Sequence, residues 1–191
     1  MLETDTFDNR LSIVNHVVFL DCWRRRKLAH EAFRLWRRYF SQHLLWNEKT
    51  RWKDLSHSVL LRFASEHTDA QRALFDLIMV CQELGHADDG QSLDLETLCR
   101  LFNGYFYLMN QAQCEIMARL AWVQRSPRME RPLVDLACDP FIYETQALLE
   151  IPAPCPKHPG YEEYRRSQGM ERAVVVRKAI PQALRHLRAM A

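Results

Sequence analysis

"LETLCRLFNGYFYLMNQAQCEIMARLAWV", residues 95–123, decides the fold. At 100° per residue, Leu95, Leu98, Leu101, Phe102, Tyr105, Phe106, Met109, Ala112, Ile116, Met117, Leu120 and Val123 fall on one continuous apolar stripe. Glu96, Arg100, Asn103, Asn110, Gln111 and Glu115 lie away from it. The register holds from end to end, so the stretch predicts one unbroken helix over residues 93–124, opened by Ser92 or Asp94. Such a rod has about 30 residues and is about 45 Å long. Met109 and Met117 read as adaptable core filler rather than as ligands.

Outward from this rod the pattern stays helical. A first helix starts near Thr6 or Asp8 and runs to about Trp46, either straight or bent near an arginine run. A second fits residues 50–65, with Trp52, Leu55, Val59 and Phe63 on one face. A third opens at Thr68, carries Ala70, Ala73, Leu74, Leu77, Cys81 and Leu84 at helical spacing, and ends at Gly85. After the polar "RSPRMERP", short helices start at Pro132 and at Asp139-Pro140, where Asp suits the cap and Pro the first turn. The second of these continues through "FIYETQALLEI" to Pro152. "PAPCPKHPG" fits neither helix nor central strand. A last helical region follows from Tyr161, interrupted at Pro181, in which "AVVVRKAI" fits a strand equally well.

The expected fold is therefore all-α: a helical bundle of six or seven helices around the long central one. The expected layout is a helical domain over 1–151, a proline-rich linker over 152–160 and a C-terminal helical arm over 161–191, packing on the domain or on a partner. Its centre should hold Leu98, Phe102, Phe106, Met109 and Leu120 against Trp36, Phe63, Leu74 and Leu77. A chain of 191 residues is long enough to bury such a core unaided. Only five glycines, with abundant Leu, Ala, Arg, Gln and Glu, agree with helix.

Six cysteines stand singly, with no C-x-x-C pair, behind an acidic, polar opening "MLETDTFDNR". They read as reduced thiols packed as small apolar groups, which makes a cytoplasmic protein the expectation. The longest uncharged stretch, residues 101–114, is shorter than the roughly 20 apolar residues a membrane span needs.

"CWRRRKLAHEAFRLWRRYF", residues 22–40, carries the most distinctive charge pattern. Leu28, Ala29, Ala32, Phe33, Leu35, Trp36, Tyr39 and Phe40 share one half of the helical wheel. Arg26, Lys27, His30, Arg34, Arg37 and Arg38 take the other half, with Trp23 among them and only Glu31 as a counter-charge. Arg25 is misplaced, in line with Val18, Ala32 and Trp36 on the apolar face. An unpaired guanidinium is costly to bury, so Arg25 needs a bend in the helix, a buried acid, or an open end of that face.

Charge is segregated along the chain. Residues 23–53 are mostly basic. Residues 66–96 hold Glu66, Asp69, Asp76, Glu83, Asp88, Asp89, Asp94 and Glu96 against Arg72, and the C-terminal segment is basic again. One reading is that the acidic and basic helices neutralise each other, within a subunit or between two. Another is that Arg24, Arg26, Lys27, Arg34, Arg37 and Arg38 grip phosphates with Trp23 stacking, as on a nucleic-acid-binding face. Against that stand a net charge of +2 and the lack of a helix-turn-helix pattern. An acidic protein surface or lipid headgroups form the third, but the apolar face suits core packing better than a membrane.

Site chemistry is sparse. Glu83-Leu-Gly-His86 has Glu-x-x-His spacing, but a di-iron site needs a second copy and two more glutamates, and Gly85 should end the helix there. Asp88 and Asp89 add hard-cation ligands without EF-hand spacing. Cys155-Pro-Lys-His158 is half of a zinc site, its other half to be sought in Cys138 and a remote histidine. No nucleophile elbow, phosphate-binding glycine loop or cysteine-nucleophile context occurs. The sequence predicts no catalytic residue, no cofactor and no bound metal. It points to a non-enzymatic cytoplasmic protein that binds another protein, as adaptor, regulator or assembly subunit, through its opposed patches. Uncovered apolar surface would favour a dimer, and no membrane contact is expected. The alternatives are a nucleic-acid-binding protein and a metal-dependent enzyme centred on Glu83 and His86.

Overall fold

A computed structural model describes residues 5–40, 46–65, 67–86 and 93–190; its described side chains begin at Leu20 and omit Leu35 and Arg38. The fold is all-α. Its helices are α1 (Asp5–Tyr39), α2 (His57–Ala64), α3 (Thr68–Cys81), α4 (Leu95–Arg119), α5 (Leu133–Ala137), α6 (Tyr161–Arg166), α7 (Met170–Lys178) and α8 (Ile180–Met190). Single 3-10 turns occupy Trp52–Asp54, Pro127–Glu130, Pro140–Tyr143 and Thr145–Leu149. Among the described residues there is no strand, only an isolated antiparallel bridge between Val123 and Pro154. No helix among them is long and apolar enough to cross a membrane.

The two-sided character of α1 organises one half of the core. Phe33 and Trp36 are fully buried while Arg34 and Arg37 face solvent. α1 packs along α3, and the Trp36 indole N–H donates to the Ala73 carbonyl at 2.7 Å. Phe33, Phe40, Trp46 and Phe63 surround Trp36 with ring centroids 4.9–5.9 Å away. Each such side chain contributes about 1.5–3 kcal/mol by leaving water. The expected continuation of α1 to Trp46 does not occur. A straight helix would carry residue 46 about 15 Å beyond Trp36, whereas the Trp46 ring stands 5.0 Å from it, folded back over the same cluster.

The second predicted helix is also shorter. Its first part is the 3-10 turn at Trp52–Asp54, and α2 begins only at His57, where the Ser56 hydroxyl accepts from the Val59 N–H. Trp52, Leu55, Val59 and Phe63 are nonetheless all buried. The expected helix after Asp139-Pro140 is two 3-10 turns, although Asp139 caps the first as its residue type suggests, accepting from Phe141 N–H at 3.0 Å. The valine run of α7 is helix rather than strand, with Val175 and Val176 inside and Val174 outside.

α4 opens at Asp94, whose carboxylate accepts from the Thr97 N–H at 2.9 Å and from its hydroxyl at 2.8 Å. It has 25 residues and ends at Arg119, short of the rod expected over residues 93–124. Ala121 takes a left-handed conformation, φ 56°. Its N–H and that of Trp122 bond back to Ala118 and Met117, closing the helix end without a glycine.

The buried face of α4 differs from the predicted stripe. α2, α3, α8 and the 3-10 turns of residues 140–149 enclose it on several sides. Gln111 and Glu115, expected outside, are buried; Phe102 and Phe106, expected at the centre, are half-exposed, and Leu98 and Leu120 are only partly covered. Glu115 is tolerated inside because two guanidiniums reach it: Arg119 at 3.1 Å and Arg125 at 2.8 Å. Arg119 then donates to the carbonyls of Trp52, Lys53 and Leu55. Met109 is buried as expected, as are Leu74 and Leu77 of α3.

The proline-rich stretch 152–160 runs back along the end of α4. Gln124 N–H bonds to the Ala153 carbonyl at 2.9 Å, and Cys155 N–H to the Trp122 carbonyl at 2.7 Å. α8 packs on α2 and α4 and places Ala183 and Leu187 in the same core as Trp36.

Candidate functional site

The outer face of α1 holds the residues singled out for binding. Arg24, Arg26, Lys27, Arg34 and Arg37 are all exposed; the side chain of Arg38 lies outside the described ones. They do not act as one field. Arg24 pairs with Glu83 at 2.7 Å and Arg26 with Glu48 at 3.4 Å. The misplaced Arg25 finds an acid, Asp135, at 3.2 Å, whose carboxylate is largely covered. Lys27 sits 5.8 Å from the centre of the Trp23 ring, which is itself 57% exposed. Among the described residues, no carboxylate lies within ion-pair reach of Lys27, Arg34 or Arg37.

Trp23 stands between two shallow grooves. One, of about 480 Å³, is lined by Trp23, Arg26, Lys27, His30, Arg37 and Trp46, with Glu48 at its edge. The other, of about 560 Å³, lies toward the end of α3 and is lined by Leu20, Leu28, Val80 and Gly85 beside the charges of Arg24, Lys27, Glu31 and Glu83. The first is basic with two indoles in its wall, the second amphipathic.

A second surface was invisible to the charge pattern. Phe102 and Phe106, 45% and 43% exposed, stand one turn apart on α4 with Leu95 beyond them at 77%. Phe75 from α3 stacks on Tyr105 with centroids 4.9 Å apart and meets Phe102 edge-on at 5.2 Å. Tyr105 meets Phe106 at 5.2 Å, and Phe102 lies 6.4 Å from Phe106. Four rings thus form one contiguous platform, which includes a buried Tyr105 and is open to solvent along Phe102 and Phe106. The apolar stripe contained these residues; what the sequence lacked was the direction from which other helices cover α4.

The residues considered for metal binding are dispersed. Glu83 follows the end of α3 in a left-handed conformation and turns to Arg24, while the His86 ring nitrogens lie 3.8 Å from the carboxylates of Glu31 and Asp76. Asp88 and Asp89 fall outside the described residues. His158 is buried against Trp122, its Nδ1 accepting from the Gly160 N–H at 3.0 Å, and burial pushes its pKa below the ordinary histidine value. Cys155 is partly exposed. Among the described residues, no group of three or more His, Cys, Asp and Glu side chains is placed to hold a metal ion. Comparison with protein-family models, with curated proteins and with solved structures gives no match.

Proposed function

We propose that this is a non-enzymatic protein that works by binding another protein, as adaptor, regulator or assembly subunit, with the α4 platform as its apolar anchor. The observation that carries the reading is the pair Phe102 and Phe106, each nearly half in water and packed against the rings of Phe75 and Tyr105. Large exposed aromatics in a cluster favour a partner surface, because aromatic residues dominate the energetics of interface cores while charged ones set the rim and the encounter rate. Lys27, Arg34 and Arg37 remain available to select an acidic partner, since Arg24 and Arg26 are already neutralised by Glu83 and Glu48. A second copy of the chain is one such partner. Six free cysteines fit a reducing compartment such as the cytoplasm.

Affinity capture from native lysate, comparing the wild-type chain with Phe102→Ser/Phe106→Ser, tests the reading, with sedimentation covering the case of self-association. The expected result is a stoichiometric partner, or a dimer, held by the wild type and lost by the variant at unchanged thermal stability. Identical complexes from both proteins would contradict it.

The groove of Trp23, Arg26, Lys27, His30 and Arg37 supports the rival reading, a nucleic-acid-binding face. That reading requires binding to single-stranded oligonucleotides that weakens steeply with salt and is lost in Arg34→Glu/Arg37→Glu.

A further inference from the structure

Two cysteines distant in sequence meet where α3 and α5 end side by side. Cys81 is the last residue of α3 and Cys138 the C-cap of α5. The Cys138 Sγ lies 3.9 Å from the Cys81 carbonyl oxygen, and the neighbouring Gln82 side chain donates to the Ala137 carbonyl at 3.1 Å, tying the two helix ends together. Cys81 is buried and Cys138 partly exposed. Both line a groove of about 330 Å³ whose other walls include Arg24, Arg25 and Leu28. The guanidiniums are positioned there by Glu83 and Asp135.

The thiols are inequivalent. The adjacent Cys81 side chain holds Cys138 below the ordinary cysteine value, and Arg24 and Arg25 add to this against burial and Asp135. The same neighbouring pair of thiols, with burial, pushes Cys81 well up. A partly exposed sulfur with a lowered pKa beside a shielded one is the arrangement of an attacking and a resolving cysteine. Cys114, by contrast, is fully enclosed and pushed up to about 12 by burial.

We propose that Cys138 and Cys81 form a hydroperoxide-reactive dithiol site, with Cys138 as the attacking sulfur, Cys81 as its resolving partner and Arg24 lining the groove through which the peroxide enters. The Cys138 thiolate attacks one peroxide oxygen. An S–O bond forms, the O–O bond breaks, and the departing hydroxide takes a proton from solvent, leaving a sulfenic acid and water. The Cys81 sulfur, giving up its proton, then attacks the Cys138 sulfur. The S–S bond forms, the S–O bond breaks, and hydroxide leaves with that proton as a second water. Two thiols are oxidised to one disulfide and one peroxide is reduced to two waters. The product locks the end of α3 to the end of α5 directly beneath Arg24 and Arg25 of α1.

Reduced full-length protein is exposed to limiting hydrogen peroxide and mapped by non-reducing peptide mass spectrometry. The expected result is a link between the Cys81 and Cys138 peptides, formed before modification of the exposed Cys22 and Cys99. Cys81→Ser should accumulate a dimedone adduct at Cys138, and Cys138→Ser should show neither product. Arg24→Gln should slow the linkage several-fold. If Cys81→Ser fails to fold, the wild-type map and the Arg24→Gln rate still decide. Oxidation falling first on Cys22 or Cys99 with the pair left reduced, or an unchanged rate in Arg24→Gln, would overturn the proposal.

Discussion

The indole of Trp36 on α1 donates to the backbone carbonyl of Ala73 on α3 at 2.7 Å, in full burial. This bond sets how far α1 can slide along α3, and hence where Trp23 and the open cations stand. Trp36→Phe keeps an aromatic ring but removes the donor and part of the packed volume. It is expected to lower unfolding free energy by about 2 kcal/mol. Trp23→Ala, on the exposed side of the same helix, should stay within about 0.5 kcal/mol of wild type. Denaturant melts of the two variants check the partition of α1; equal losses would contradict it.

Glu115 is a buried carboxylate held by Arg119 and Arg125. Removing one partner of a buried ion pair leaves the others uncompensated, so Glu115→Gln should cost about 3 kcal/mol. Arg125 is 40% exposed, and Arg125→Gln should cost about 1 kcal/mol, because solvent replaces most of what it supplies. Urea titration of both variants gives the comparison.

Ala121 closes α4 in a left-handed conformation that L-residues with a Cβ adopt at a cost. Ala121 is exposed, so its methyl contributes little packing. Ala121→Gly should therefore raise stability by about 1 kcal/mol, seen as a higher melting temperature. A lower melting temperature would show that the cap is not set as described.

His158 is buried and its pKa is depressed, burial outweighing the opposing influence of the nearby Val176 backbone. The unfolded chain therefore binds a proton more readily than the folded one. The stability this neutral imidazole permits is fully present above the unfolded histidine pKa, about 6.5, and is lost as pH falls through that value toward the lower folded one. Between about pH 7 and about pH 5 the wild type should lose more stability than His158→Gln. Parallel pH dependences would remove His158 as the cause.

The helical class and the inner face of α1 were legible because both depend on local periodicity: Phe33, Trp36, Leu74 and Leu77 are buried where their spacing places them. Helix ends were harder. Glycine is the expected terminator, but α3 turns at Glu83 and α4 at Ala121, residues whose type carries no such signal. The burial of Glu115 depends on Arg119 and Arg125 arriving together, and an angular projection sees only that glutamate is charged. Projection likewise gave α4 one buried side, while α2, α8 and the turns of residues 140–149 cover another. That displacement is what leaves Phe102 and Phe106 outside. The meeting of Cys81 with Cys138 depends on two helix ends that local spacing does not relate.

Phe102 and Phe106 are the residues on which the proposed partner binding depends. A photoreactive phenylalanine analogue at position 106 of the full chain, irradiated in native lysate, measures this directly, with the same analogue at exposed Met170 as the reference. One dominant protein adduct, or a cross-linked pair of chains, is expected from position 106 and none of that species from position 170. Equal, diffuse labelling from both positions would contradict it.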